Sequence, residues 1–143
     1  MTAVCDGRVS RLKPFVNDKI FTCHRRPRCC STPPWGPTDI TRAALPFVFA
    51  ASALQAGDTV LIMLFHDAVN VALDGAFQKM VPFGPPARFQ EVFSHPNANI
   101  MVCKPCAEIR GINENMLAKP AVFGGMNDLH AHASRPDARS VNF

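Results

Sequence analysis

The sequence lacks several patterns that would assign a chain to a large functional class. No apolar run approaches the roughly 20 residues that a membrane-spanning helix needs, so a membrane protein is not expected. Charged residues follow the first methionine without an apolar stretch behind them, so we expect no secretory signal and a cytoplasmic protein. Neither a G-x-G-x-x-G or Walker phosphate loop nor a G-x-S-x-G elbow is present. Nucleotide-dependent and hydrolase chemistry therefore have no positive support.

The composition indicates one domain with a short extension. The chain has 143 residues, of which 48% are hydrophobic and only 18% are charged, a balance typical of a compact protein with a single core. Seven Lys or Arg against two Asp give the first 36 residues a net charge of +5, and the rest is close to neutral. No aromatic stacking pattern accompanies these charges, so nucleic-acid binding is not expected. We interpret residues 1–17 as a flexible extension and residues 18–143 as the folded domain.

Six cysteines are many for this length. Disulfides are typical of exported chains, and export is not expected here. Cys103 and Cys106 form a C-x-x-C pair, which beside a β-α-β pattern indicates thiol redox or sulfur transfer, and next half of a metal site. A second C-x-x-C at zinc-ribbon spacing is missing, and adjacent cysteines rarely ligate one ion together. We therefore predict no metal and no cofactor, while zinc stays the alternative, with these further candidate ligands: Cys23, His24, Cys29 and Cys30.

Apolar segments alternate between strand and helix patterns along the chain. The unbroken apolar run at 60–65 is typical of a central strand, and further strands are predicted at 19–23, 98–103, 121–123 and 140–143. Helices are predicted at 40–55, 66–80, 87–93, 106–110 and 126–133. The proline-rich segment 25–37 is predicted as a loop without helix or central strand. This order indicates an α/β fold, a doubly wound, mostly parallel five-stranded sheet with helices on both faces.

One stretch carries the candidate chemistry. The apolar run at 100–102 predicts a buried strand, and Pro105 predicts the start of a helix. Cys103 then lies at the end of the strand, and Cys106 lies in the first turn of the helix. The free N–H groups of that turn and the charge of Lys104 favour a thiolate, so we expect the pKa of Cys103 below the ~8.5 of free cysteine. Cys103 is the predicted nucleophile, and Cys106 is its resolving or tuning partner.

Two histidine motifs are further candidates for a functional role. His66 and Asp67 follow the predicted strand at 60–65, and ligands collect at the carboxyl ends of parallel strands. His66 could donate a proton or orient a ligand near Cys103, or it could cap a helix at the surface, and both interpretations stay open. His130 and His132 are two positions apart and point to different helix faces, so they predict no shared metal.

Several stretches of the chain together resemble a known family: Gly36-Pro37-Thr38-Asp39, residues 41–47, 56–60 and 67–69, and above all Val102-Cys103-Lys104-Pro105-Cys106-Ala107-Glu108-Ile109-Arg110-Gly111-Ile112. Over about residues 36–143 they resemble the DsrE/DsrF-like family. The resemblance implies a doubly wound α/β domain that forms homo-oligomers, commonly trimers or hexamers. In the sulfur-relay members it implies a persulfide at the position of Cys103, which passes to a partner protein. Many relatives with this C-x-x-C have no established activity. Residues 25–35 depart from the family pattern, and we interpret them as an insertion.

These observations combine into one hypothesis and one alternative. The hypothesis is a sulfur-carrier or thiol-relay protein that accepts sulfane sulfur as a persulfide on Cys103, with Cys106 as second thiol and Lys104, His66 and Asp67 as candidate supporting residues. Its expected partners are sulfur donor and acceptor proteins and further copies of itself. The alternative is a non-catalytic oligomeric binding module whose cysteines are structural or hold zinc. Whether the protein is an enzyme stays open.

Overall fold

The computed structural model describes residues 3–5, 8–10, 28–81 and 88–143. Its strands are β1 Ala3–Cys5, β2 Arg8–Ser10, β3 Arg28–Ser31, β4 Thr59–Leu64, β5 Ala98–Cys103, β6 Val122–Gly124 and β7 Ala138–Val141. Its α-helices are α1 Ile40–Gln55, α2 Phe89–Phe93, α3 Lys104–Glu108 and α4 Met126–Ala133. Short 3-10 helices span Pro37–Asp39, His66–Ala72, Phe77–Lys79 and Glu114–Met116. The strand predicted at 19–23 lies outside the described residues.

A five-stranded parallel sheet organises the molecule, in the order β6-β5-β4-β3-β7. The α/β fold class predicted from the alternating pattern is thereby confirmed. β1 and β2 form a separate antiparallel pair. The chain moves from β3 to β6 in one direction across the sheet and then returns to β7 on the far side of β3. Because β-α-β crossovers are right-handed, α1 and α4 cover opposite faces.

The strand β3 corrects the predicted loop at 25–37. Arg28–Ser31 pairs with β4 on one side and with β7 on the other, so it is a central strand. The proline-rich composition hid this run, yet its four residues contain no proline and can donate every ladder hydrogen bond. From β3 the chain continues directly into the loop that precedes α1. Four positions assigned to an insertion therefore belong to the sheet, while the boundary at residue 17 stays a prediction.

The main core lies between the sheet and α1. The Asp39 side chain accepts a hydrogen bond from the Arg42 backbone N–H at 3.0 Å and caps the helix. The helix passes through Pro46 without a break. Phe47 is buried on its inner side and contacts the rings of Phe89 and Phe93 on α2 at centroid distances of 4.7 and 6.0 Å. This aromatic cluster holds α1 and α2 over one face of the sheet.

The helix predicted at 66–80 is wrong as a continuous element. A 3-10 helix ends at Ala72, Leu73 is extended and pairs with Leu117, and Gly75 has a φ of +75°. The backbone N–H of Asp74 donates to the carbonyl of Met116 at 2.9 Å. Contacts with the segment before β6 therefore replace the helical hydrogen bonds that the apolar spacing predicted. They also hold the chain after β4 close to the chain after β5.

The second face of the sheet is more open than the first. α4 covers it, yet none of its eight residues is buried. Burial lowers the pKa of His132 on this helix, and the charges of Arg135 and of Arg28 on β3 lower it further, which places α4 near the start of the central strand. Across the described part of the chain, no helix is long and apolar enough to cross a membrane.

Candidate functional site

The junction of β5 and α3 places both site cysteines as the sequence predicts. β5 ends at Cys103, and Cys106 lies in the first turn of α3, which begins at Lys104. Pro105 occupies a first-turn position, where its missing N–H removes no helical hydrogen bond. The turn closes at Gly111, whose φ of +67° belongs to the left-handed region that ends helices. The strand–helix junction is therefore built by local signals in the chain.

The two thiols lie together but in different surroundings. Both are free, with Cys103 buried at 8% exposure and Cys106 partly exposed. Burial raises the pKa of the Cys103 thiol, and the neighbouring Cys106 thiol raises it further. The backbone N–H of Cys106 approaches the same sulfur and offsets part of this rise, without completing a helix cap. The expected lowering of the Cys103 pKa is therefore wrong, because desolvation outweighs the helix N-terminus.

Lys104 does not lower the pKa of the buried Cys103 thiol. Its side chain is 62% exposed and its Nζ lies 3.9 Å from Oε1 of Glu108, which is the ordinary geometry of a surface ion pair one turn apart. The ammonium group is directed along the outside of α3. The charge of Lys104, which follows Cys103 in the sequence, therefore lies at the helix surface beside Glu108.

Asp67 joins two loops at the carboxyl edge of the sheet. Its Oδ2 accepts hydrogen bonds from the backbone N–H of Thr38 at 3.0 Å and from the Thr38 hydroxyl at 2.6 Å, while Asn70 Nδ2 donates to its Oδ1 at 2.9 Å. Burial alone would raise the pKa of Asp67, but these hydrogen bonds and the charge of Arg110 lower it overall. Gly36 lies against the Asp67 backbone so closely that a Cβ atom would collide with it. Asp67 therefore acts as a clamp between the loops after β3 and β4.

His66 lies at the same edge but at the surface. Its side chain is exposed, and among the described residues it has no hydrogen-bond or ion-pair partner. Its φ of 47° is uncommon for a residue with a side chain and starts the 3-10 helix that follows β4. His66 lies at the surface, as the capping interpretation expects, but Phe65 is the N-cap residue of this 3-10 helix and no side chain caps it. A proton-donor role for His66 stays a prediction.

Arg110 is the site residue that the sequence interpretation passed over. Its Nη1 donates to the carbonyl of Cys106 at 2.9 Å, and its charge reaches Asp67. The guanidinium is therefore bonded to the C-x-x-C helix and acts on Asp67 through its charge alone. The available signal was spacing, because Arg110 follows Cys106 by four positions and lies on the same helix face. Arginine near a helix end also commonly binds its last carbonyls.

The second cysteine pair lies elsewhere in the sheet. Cys29 and Cys30 are adjacent in β3, so their side chains point to opposite faces. The Cys29 thiol donates to Oδ2 of Asp58 at 3.8 Å, and burial raises the pKa of both thiols. Within the described ranges, no group of three or more His, Cys, Asp or Glu side chains could hold a metal ion. Cys23 and His24 lie outside those ranges, so the absence of zinc stays a prediction.

Comparison with solved structures agrees with this architecture. The crystal structure of the YchN protein from E. coli superposes with a TM-score of 0.62 at 18% sequence identity, over 82% of this chain and 99% of that chain. At this identity the likeness shows the fold alone. No curated protein matches the chain significantly in sequence.

The family comparison covers the whole of the main sheet except β3. The sequence model of the DsrE/DsrF-like family matches residues 35–143. That range includes the β5–α3 junction, both site cysteines and the Asp67 clamp. It also agrees with the extent of the resemblance that the sequence motifs indicated. The chain belongs to the DsrE/DsrF-like family.

Proposed function

We propose that this protein is a sulfur carrier that holds sulfane sulfur as a persulfide on the Cys103–Cys106 pair and passes it to an acceptor. The observation that carries the proposal is the meeting of two free thiols at the carboxyl edge of a parallel sheet, where the Cys106 thiol and N–H both reach the Cys103 sulfur. Two neighbouring thiols can exchange a sulfur atom by attack of one on the sulfur bound to the other. Membership of the DsrE/DsrF-like family, whose sulfur-relay members use the equivalent cysteine, supports the same chemistry.

Burial of Cys103 suits a carrier. A persulfide in open solution meets other thiols and oxidants, whereas a side chain that is 8% exposed is shielded from them. The charges around the pair are of both signs, because Lys104 pairs with Glu108, and the charge of Arg110 acts on the Asp67 carboxylate. The carboxyl edge therefore has no strong electrostatic field of one sign. We propose protein donors and acceptors of sulfane sulfur as its partners.

The proposal is tested by incubating the full chain with inorganic polysulfide, alkylating it and mapping the peptides by mass spectrometry. We expect a gain of about 32 Da, one sulfur atom, at the C-x-x-C peptide. The matched control is Cys30→Ser, which removes a buried thiol in β3 and should leave the gain unchanged. A wild-type protein that gains no sulfur, or that holds zinc in a one-to-one ratio at these thiols, would contradict the carrier and support the binding-module alternative.

We also propose that the protein acts as a homo-oligomer of three or six copies. Large apolar side chains are exposed on described elements, among them Ile109 at 85%, Met126 at 66% and Val122 at 47%. Val122 lies beside the open face of the sheet, since its neighbour Phe123 packs into the main core. Burying such residues between copies would remove apolar surface from water. Light scattering that finds a monomer at micromolar concentration would overturn this proposal.

A further inference from the structure

The two site thiols differ in how a donor from solution can reach them. Cys103 ends β5 and is part of the buried core cluster, whereas Cys106 is partly exposed and only packs against that cluster. Register explains the difference, because Cys103 lies beside Gly124 on β6 while Cys106 has already left the sheet for α3. A donor that approaches the carboxyl edge therefore meets Cys106 before it can reach Cys103.

We infer that Cys106 is the receiving thiol, which takes sulfane sulfur from the donor, and that Cys103 is the storage thiol, to which Cys106 hands it. This order rests on the proposed function and adds to it the direction in which sulfur moves, from Cys106 to Cys103. It reverses the roles that the sequence pattern suggests, in which Cys103 attacks first. The cause is burial, which local sequence signals do not contain.

Each step conserves atoms and electrons. The Cys106 thiolate attacks the outer sulfur of a persulfide or polysulfide donor, a new S–S bond forms on Cys106, and the donor leaves as a thiolate or shorter polysulfide. The Cys103 thiol then loses its proton to solvent and attacks the same outer sulfur. The S–S bond on Cys106 breaks, and Cys106 returns as a thiolate. The sulfur keeps its oxidation state, so neither an oxidant nor a reductant is needed.

Groups around the two thiols favour sulfur transfer from Cys106 to Cys103. Arg110 Nη1 donates to the Cys106 carbonyl at 2.9 Å, so it helps to hold the backbone of the receiving residue in place. The Cys106 backbone N–H reaches the Cys103 sulfur, where it stabilises negative charge as that thiol attacks. Burial raises the pKa of Cys103, which makes it a slow first nucleophile toward a donor in solution. Contact with Cys106 makes the second step an intramolecular one.

A time course with three proteins tests the order. Wild type, Cys106→Ser and Cys103→Ser are mixed with inorganic polysulfide, quenched with an alkylating agent at successive times and mapped by mass spectrometry. In wild type the added sulfur should be found first on Cys106 and later on Cys103. Cys106→Ser should load Cys103 at least about tenfold more slowly than wild type. Cys103→Ser should load Cys106 at the wild-type rate and keep the sulfur there.

The time course can refute the proposed order of the two thiols without refuting the carrier function. If Cys106→Ser loads Cys103 as fast as wild type, the carrier function stands and the proposed order is wrong. If wild type gains no sulfur on either thiol, the carrier function itself fails. Thermal unfolding of each variant checks that it folds. The wild-type time course needs no substitution, so sulfur appearing on Cys103 first would overturn the order even if a variant failed to fold.

Discussion

Two cysteine pairs occupy the same sheet and differ in what they can do. Cys29 and Cys30 are neighbours in the sequence, yet the alternation of β3 sends their side chains to opposite faces. Cys103 and Cys106 are three positions apart, yet the turn from β5 into α3 brings their thiols together. Closeness along the chain is therefore a poor guide to closeness of the sulfurs. The element that carries the pair decides whether the two thiols share a site.

The largest expected effect comes from removing the storage thiol. Cys103→Ser should abolish sulfur loading at the buried position and leave the sulfur on the partly exposed Cys106, because the other two described thiols lie in β3. Cys29→Ser is the matched control, since its hydroxyl can still donate to Asp58 and the C-x-x-C pair is untouched. Peptide mapping after polysulfide treatment measures both. If Cys103→Ser and Cys29→Ser lost equal amounts of bound sulfur, the two cysteine pairs would not differ in function.

A second effect should appear in the order of alkylation. At neutral pH, iodoacetamide should modify Cys106 at least about tenfold faster than Cys103, since Cys106 is partly exposed whereas Cys103 is buried and burial raises its pKa. Cys29 and Cys30 should react only when the protein opens, because both are buried and burial raises both pKa values. The Cys103 rate should keep rising as the pH passes the ordinary cysteine value. Fast labelling of Cys30 in the folded state would show that β3 is more accessible than its burial indicates.

A smaller effect concerns the loop clamp beside the C-x-x-C pair. Asp67→Asn should lower the free energy of unfolding by about 1–2 kcal/mol at neutral pH, because charge-assisted hydrogen bonds from Thr38 become neutral ones. The pKa of Asp67 is lowered by folding, so its contribution is present above the ordinary value of 3.8 and is lost as the pH falls through the folded value. Urea unfolding at neutral and acid pH measures this. A pH dependence identical in wild type and Asp67→Asn would assign it to other groups.

The smallest effect should come from the surface of α3. Glu108→Gln breaks the 3.9 Å pair with Lys104, yet both side chains are more than half exposed, so stability should change by less than about 0.5 kcal/mol. Sulfur loading should also stay at the wild-type rate, since neither charge shifts the pKa of Cys103. The same time course and urea unfolding check both statements. Slower loading would mean that the surface charge of α3 helps to recruit the donor.

The sequence predicted those parts of the fold that carry strong local signals. The apolar segment at 40–55 predicted α1, and the apolar run before Cys103 predicted β5. The strand β3 was missed because its four residues lie among prolines, and only pairing with β4 and β7 identifies it. The segment after His66 was mispredicted because contacts with distant residues override its helical spacing.

In the candidate site, too, features set by local sequence were predicted and features set by distant contacts were not. The strand–helix junction and the positions of its two cysteines follow from the apolar run and the proline, and these positions were predicted correctly, while the roles of the two thiols stay predictions. The pKa of Cys103 was not, because desolvation depends on packing by β6 and the core around it. The Thr38 contact with Asp67 joins loops that are far apart in sequence. Such contacts become visible only when the fold has placed the strands side by side.

The position of β3 between β4 and β7 has a consequence for how the chain folds. Arg28 pairs with Ala138, so this half of the sheet closes only after a loop of 110 positions has been formed. The β3–β4 and β4–β5 pairs have shorter loops and should form earlier. Until β7 docks, the free edge of β3 is open to pairing with a neighbouring molecule. The pairing that closes the longest loop of the sheet is therefore also the one that covers the edge of β3.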